Sequence, residues 1–192
     1  GKDLYRTVEA AVKGGVSMVQ LREKESSTRE FIERAIRLKE VLTPYGVPLI
    51  INDRVDVALA ANADGVHVGQ SDMPYEMVKR LLPEGKIIGL SVESPEQVLE
   101  ANDYDLDYVA ASPVFSTTTK TNTIVEWGLD GLRWIRSVSR HPLVAIGGIR
   151  PDNVASIFQA GAESVAVISA IVSADDPERA ARELLEKSGK LH

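Results

Sequence analysis

Short β-branched runs alternate with longer helical stretches along the whole of this 192-residue chain, and that alternation leaves few folds open. Strand-length runs stand at residues 16–21, 48–52, 65–68, 86–91, 107–111, 142–147 and 164–169. Each is rich in Val and Ile and apolar on both faces, as buried parallel strands are. Between them, apolar residues recur at helical spacing: Leu4, Val8, Ala11 and Val12, then Ile32, Ala35, Ile36 and Leu38, later Leu129, Leu132 and Ile135. Ser94-Pro95-Glu96-Gln97 reads as a helix start, with Ser94 as cap, Pro95 in the first turn and Gln97 closing a capping box. Asp176-Pro177 opens the last helix in the same way, and Gly14, Gly46 and Gly161 stand where helices should stop.

No linker, low-complexity tract or charge block divides the series, so residues 1–192 are expected to form one domain. Repeated βα units fold either as an open doubly wound sheet or as a closed barrel. A doubly wound nucleotide binder carries G-x-G-x-x-G after its first strand, and this chain does not. Polar residues end nearly every strand, which favours an α/β fold of the (β/α)8 TIM-barrel type with its site on that face.

Composition narrows the function classes. There are 22 Lys and Arg against 28 Asp and Glu, a net charge of −6, which argues against nucleic acid as a partner. No apolar run approaches the ~18 residues of a membrane span. Without a single cysteine the chain has no disulfide, thiolate metal site or cysteine nucleophile, and it fits a reducing, cytoplasmic setting.

The chemistry gathers at the strand ends. The first run ends Gln20-Leu21-Arg22-Glu23-Lys24 and the second Asn52-Asp53-Arg54. The third continues as His67-Val68-Gly69-Gln70-Ser71-Asp72, and the fourth stops at Ser91. Then come Ser112-Pro113-Val114-Phe115-Ser116-Thr117-Thr118-Thr119-Lys120, Ile146-Gly147-Gly148 and Ile168-Ser169-Ala170. Asp53 and Asp72 suit one shared hard cation, since magnesium takes one or two carboxylates and fills its shell with water and phosphate oxygens. The plainer alternative is a structural ion pair of Asp53 with Arg54 or Arg22. Gly147-Gly148 beside Ile168-Ser169-Ala170 has the form of a barrel phosphate site, where backbone N–H groups point at an anion. Of three histidines, only His67 lies near the rim, and it reads as a packed, hydrogen-bonded residue rather than a catalytic one.

These motifs together, with Ile51-Asn52-Asp53-Arg54-Val55-Asp56-Val57-Ala58, Gly65-Val66-His67-Val68-Gly69-Gln70-Ser71-Asp72, Thr117-Thr118-Thr119-Lys120 and Ala145-Ile146-Gly147-Gly148-Ile149, resemble the thiamine-phosphate synthase family from about Val8 to Ala181. The resemblance implies a Mg²⁺-dependent joining of a hydroxymethylpyrimidine diphosphate to a thiazole phosphate, with release of pyrophosphate. It implies Asp53 and Asp72 at the metal. Arg22, Lys24 and Lys120 would clamp the diphosphate, with Asn52 and Ser91 as further contacts, and Arg22, Ser91 and Lys120 would carry catalysis. Gln20 would read the pyrimidine edge, while Gly148, Ile168 and Ser169 would hold the thiazole phosphate. Thr117 and Thr119 would lie between the substrates. The expected partners are these small molecules, not nucleic acid or membrane, and a homo-oligomer is compatible with the reading.

Three features depart from the family pattern. Val92-Glu93-Ser94 stands where many members carry a histidine, and Thr121-Asn122 where a Lys-Asp pair is common. The third is the count of seven strand runs where a (β/α)8 barrel has eight. The expectation is that a first strand lies upstream of Gly1 or that another segment fills its place. Two rival functions remain at this point. A thiazole tautomerase shares the barrel and the thiazole-phosphate site, but relies on a histidine where this chain has Ser112-Pro113. A non-catalytic phosphate-binding barrel would bind without turnover.

Overall fold

The structure is a computed structural model and describes residues 3–116 and 126–189. In chain order the elements are α1 (Leu4–Lys13), β1 (Val19–Leu21), α2 (Thr28–Leu42), β2 (Leu49–Asn52), α3 (Val55–Ala60), β3 (Gly65–Val68), α4 (Tyr75–Leu81) and β4 (Ile87–Val92). Then follow α5 (Pro95–Ala101), β5 (Tyr108–Ala111), α6 (Gly128–Val138), β6 (Leu143–Ile146), α7 (Val154–Gln159), β7 (Ser164–Ala166), α8 (Ser169–Val172) and α9 (Pro177–Ser188). All seven predicted strands are present; β3 keeps its bounds, β4 runs one residue further to Val92, and the others are trimmed. β1 and β7 are cut to half the expected length, β7 because Ser169 starts a helix instead of ending a strand.

The strands form one parallel sheet in the order β1 to β7. This is an α/β fold of the (β/α)8 barrel type with seven strands. Among the described residues no pairing joins β1 to β7, as the count of strand runs anticipates. The two edges nevertheless curl toward each other, since α1, which precedes β1, packs against α9, which follows β7. The inner strands β3 and β5 are buried along their whole length, whereas Gln20 on β1 and Ser164 on β7 are exposed.

Alternation along the strands divides the sheet into two faces. Leu49, Ile51, Val66, Val68, Ile88, Leu90, Val109, Ala111, Leu143 and Ala145 belong to the hydrophobic core that the helices cover. Register puts the alternate residues on the other, inward face: Asn52 beside His67, His67 beside Gly89, Gly89 beside Tyr108. Gln20 pairs with Ile50 and so joins that inward row.

Two local expectations change. On α2 the buried positions are Phe31, Ala35, Leu38 and Leu42, while Ile36 is exposed; the apolar face is rotated by one residue from the expected one. Phe31 is the larger side chain and takes the inward position that Ile32 was expected to hold. On α5, Ser94 Oγ accepts from Gln97 N as expected, but the Gln97 side chain accepts from Glu93 N (2.7 Å) and not from the cap itself. The departure at Val92-Glu93-Ser94 therefore has a local use in starting α5.

Candidate active site

The first group of site residues is built on the ends of β1, β2 and β3. Beyond β1 the chain runs through Arg22 and Lys24, and Lys24 forms an ion pair with Asp53. Glu23 turns away to Arg34 (2.8 Å) and to the Ser26 hydroxyl (2.9 Å), which fixes the loop against α2. Asp53 holds a left-handed backbone with φ 65°, a costly conformation for a residue with a Cβ. Its N–H donates to the His67 carbonyl (2.8 Å), which ties the bend to β3. Asp72 closes a turn after β3 and accepts from Gly69 N–H (2.8 Å).

Asp53 and Asp72 hydrogen-bond each other through their side chains. Burial works to raise Asp53, but the bonds from Asp72 and Lys24 outweigh it and hold the carboxyl below its ordinary range. Burial raises Asp72, and the neighbouring Asp53 adds to the rise. The expected alternative partners of Asp53 are not its partners here: Arg54 binds Asp56 (2.6 Å) and the Thr28 hydroxyl (3.0 Å), and Arg22 acts on Asp53 through space. Among the described residues no cluster of three or more His, Cys, Asp or Glu side chains assembles, so a metal here would have two carboxylates and open positions.

A second group lies at the ends of β5, β6 and β7. Gly147 (φ 101°) and Gly148 (φ 66°) turn the chain out of β6. A Cβ on Gly148 would stand 2.7 Å from Phe115 Cβ and 2.9 Å from the Ser116 carbonyl, so the pair is glycine for both conformation and space. Asn153 anchors the turn by donating to the Gly148 carbonyl (2.9 Å). On the neighbouring strand end, Ile168 is 52% exposed and Ser169 opens α8. Thr117, Thr119 and Lys120 lie outside the described residues, as do Thr121, Asn122 and His192. The residues flanking that stretch are joined, since Ser116 Oγ donates to Glu126 and Trp127 N–H to the Pro113 carbonyl (3.0 Å).

Between the two groups, inside the sheet, lies a buried polar row. Ser91 is 4% exposed and its Oγ lies 2.8 Å from His67 Nε2. His67 Nδ1 is 3.0 Å from the Tyr108 hydroxyl, and the two rings stack with centroids 5.6 Å apart. Burial pushes the Tyr108 phenol up, while a hydrogen bond with the Gln20 side chain works the other way. Gly89 makes the room: a Cβ there would come within 2.1 Å of the Tyr108 ring. His67 is packed and hydrogen-bonded as the sequence implies. Tyr108 escaped notice inside an apolar run, although a buried phenol always needs a partner for its hydroxyl.

A cleft of about 680 Å³ lies elsewhere, at the opposite end of β2, β3 and β4 among Lys39, Asp64 and Lys86. Its cations are already engaged: Lys86 donates to the Ala63 carbonyl (2.7 Å) and to Asn62 Oδ1 (2.9 Å), and Lys39 pairs with Asp64 (3.4 Å). The candidate site residues sit on the other rim, the face that carries the active site in barrels of this type.

Comparison with known proteins bears on the same rim. The family described as "Thiamine monophosphate synthase" matches residues 1–171. A thiamine-phosphate synthase of Albidiferax ferrireducens is 52% identical over 177 residues, covering 92% of this chain and 81% of its own. The chain belongs to the thiamine-phosphate synthase family. Another thiamine-phosphate synthase, from Vibrio parahaemolyticus, is 50% identical over 182 residues, with 95% and 89% covered. The solved thiamine phosphate pyrophosphorylase of Pyrococcus furiosus superposes with a TM-score of 0.90 at 40% identity, covering 98% of this chain and 91% of that one. The chain is thus an enzyme of the thiamine-phosphate synthase type, a transferase of thiamine biosynthesis. The tautomerase and the non-catalytic barrel fall away.

Proposed function

We propose that the enzyme joins 4-amino-5-hydroxymethyl-2-methylpyrimidine diphosphate to thiazole phosphate by a dissociative displacement, with Asp53 and Asp72 as the ligands of Mg²⁺. The observation that carries this reading is the carboxyl pair in mutual contact, set beside Arg22 and Lys24 on the rim that also holds Gly147-Gly148. Two carboxylates with open positions fit the donor set of magnesium bound to a diphosphate. When bound, the ion neutralises charge on the diphosphate oxygens.

The protein's own groups do the rest. The carbon–oxygen bond to the diphosphate breaks first, leaving positive charge on the pyrimidine methylene and negative charge on pyrophosphate. Arg22, Lys24 and Lys120 stabilise the departing anion more than the intact ester, which is what lowers a barrier. Asn52 and Ser91 add hydrogen bonds to it. Gln20 orients the pyrimidine. Backbone N–H groups at Gly148 and Ser169, with Ile168 alongside, hold the thiazole phosphate, and Thr117 and Thr119 lie between the substrates. The thiazole nitrogen then attacks the methylene directly, so no side chain serves as nucleophile.

Phosphorylated small molecules are the partners of such a site, and a cytoplasmic setting keeps them within the cell. Among the described residues no helix is long and apolar enough to cross a membrane. The test is release of pyrophosphate with both substrates and Mg²⁺, compared with each component omitted. Release only with all three supports the reading; release without the thiazole phosphate at the full rate refutes the joining step.

A further inference from the structure

We propose that Tyr108 is a positioning residue that sets the direction of a hydrogen-bond chain running from the buried Ser91 and His67 to the exposed Gln20, and thereby makes the enzyme select a 4-amino over a 4-oxo pyrimidine. The inference rests on the reading above that Ser91 faces the diphosphate and Gln20 the pyrimidine.

The chain has four residues on four strands, joined by three hydrogen bonds. Ser91 Oγ meets His67 Nε2 at 2.8 Å, His67 Nδ1 meets the Tyr108 hydroxyl at 3.0 Å, and the Tyr108 hydroxyl bonds the Gln20 side chain. With neutral imidazole, one ring nitrogen donates and the other accepts, and a hydroxyl has one proton to give. Only two directions then leave the buried phenol proton bonded. In one, Ser91 donates to His67, His67 to Tyr108, and Tyr108 to the Gln20 carbonyl, which turns the Gln20 NH₂ toward the substrate. In the other, every arrow reverses.

A diphosphate accepts hydrogen bonds and donates none. Ser91 must therefore spend its proton on the substrate and accept from His67 Nε2–H. His67 Nδ1 is then an acceptor and takes the Tyr108 proton. The Tyr108 oxygen in turn accepts from the Gln20 NH₂, and the Gln20 carbonyl is left facing the ring. A carbonyl there welcomes an amino group and repels an oxo group. The anion at one end of the row thus fixes what the other end can read. Burial of Ser91, His67 and Tyr108 keeps water from the inner bonds of the row, and the exposed Gln20 is the end that meets the substrate.

Two measurements decide it. In the complex with Mg²⁺ and pyrophosphate, ¹⁵N NMR of the imidazoles should show neutral His67 with its proton on Nε2, the His67→Gln variant serving only to assign the signals. A proton on Nδ1, or on both nitrogens, overturns the proposal, and this reading needs no folded variant. In kinetics, the wild type should prefer the 4-amino diphosphate over the 4-oxo analogue by on the order of 100-fold or more, as sites that hydrogen-bond a substrate group do. Tyr108→Phe keeps the ring over Gly89 but frees the Gln20 amide, so this preference should fall ~10-fold, mainly through KM for the amino substrate. An unchanged preference in a Tyr108→Phe enzyme of wild-type melting temperature overturns it. Gln20→Ala and Ser91→Ala separate the two levels. If both weaken pyrimidine diphosphate binding while Tyr108→Phe leaves the preference alone, only the chain is wrong. If neither weakens it, the placement of the substrate is wrong and the chain falls with it.

Discussion

Asp72 hydrogen-bonds Asp53 across the ends of two adjacent strands, and the acidities of the two carboxyls are pushed in opposite directions. Two carboxylates in contact cannot both ionise cheaply. The pair must hold a proton or a cation, and Lys24 answers only part of the charge.

The sign of the pH effect follows. Asp72 titrates above its ordinary range, so its support for the fold is complete in acid and fades as pH rises through that raised value. Asp53 titrates below its ordinary range, so its support is present at neutral pH and is lost only when pH falls through the lowered value. Where both carboxyls are ionised and no metal is bound, Asp72 is the member whose charge costs the fold. Asp72→Asn keeps an acceptor for Gly69 N–H and removes the repulsion. Its melting temperature should equal or exceed wild type by up to ~2–4 °C at neutral pH, with the difference vanishing in acid. Its Mg²⁺-dependent turnover should collapse, and thiazole phosphate binding should barely change. A variant that melts below wild type at neutral pH and above it in acid would reverse the assignment.

The cation clamp gives the second prediction. Loss of one charge-assisted contact costs ~1.5–3 kcal/mol, or about 10–200-fold. Arg22→Ala, Lys24→Ala and Lys120→Ala should each lose at least that much in kcat/KM. Lys24→Ala has an added signature, because it also removes the ion-pair partner of Asp53 and so should bring that carboxyl back up toward its ordinary range. Carbon-13 titration of the metal-free protein reads this directly; an Asp53 that titrates as before would show that Lys24 serves the substrate alone.

The glycines give the third. Gly89→Ala sets a methyl 2.1 Å from the Tyr108 ring, inside the closed part of the sheet. Overpacking of this kind costs ~1–3 kcal/mol, read as a lower melting temperature, and it should also disturb the row from His67 to Gln20. Gly148→Ala instead strains a left-handed turn against Phe115, so it should raise KM for the thiazole phosphate while leaving pyrimidine diphosphate binding near wild type. Equal effects of the two substitutions on both substrates would deny the division of the rim.

Much of this was legible in the residues. Strand runs and helix caps follow from β-branched content, Ser94-Pro95 and Asp176-Pro177, since these are local signals. The rim residues were legible because a barrel displays its strand ends. The partner of Asp53 was not: Arg54 adjoins it in sequence while Arg22 and Lys24 stand at the end of the neighbouring strand, and only the bend at Asp53 and the pull of Asp56 on Arg54 decide among them. Tyr108 was hidden for a different reason. Its meaning depends on a glycine 19 positions earlier, and such a pairing exists only once β4 and β5 lie in register.

The far end of the sheet supplies the last prediction. Asp64, just before β3, accepts from Leu49 N–H (2.8 Å), and Asp107, just before β5, accepts from Ile88 N–H (2.8 Å). In both cases a carboxylate completes the pairing at the start of the preceding strand, where the backbone donor would otherwise face no carbonyl. These bonds are charge-assisted and half-buried, so each should contribute ~1–2 kcal/mol. Asp64→Ala also frees Lys39, whose remaining bond is to the Asn62 carbonyl. Both Asp64→Ala and Asp107→Ala should therefore melt ~2–6 °C below wild type with kcat/KM unchanged below the melting range, because they act on the end of the barrel away from the chemistry. Their effects should add, since the two bonds sit on different strand pairs and share no partner. A loss of kcat/KM in either folded variant would move part of the catalytic machinery to this end and contradict the division between a stabilising face and a reactive one.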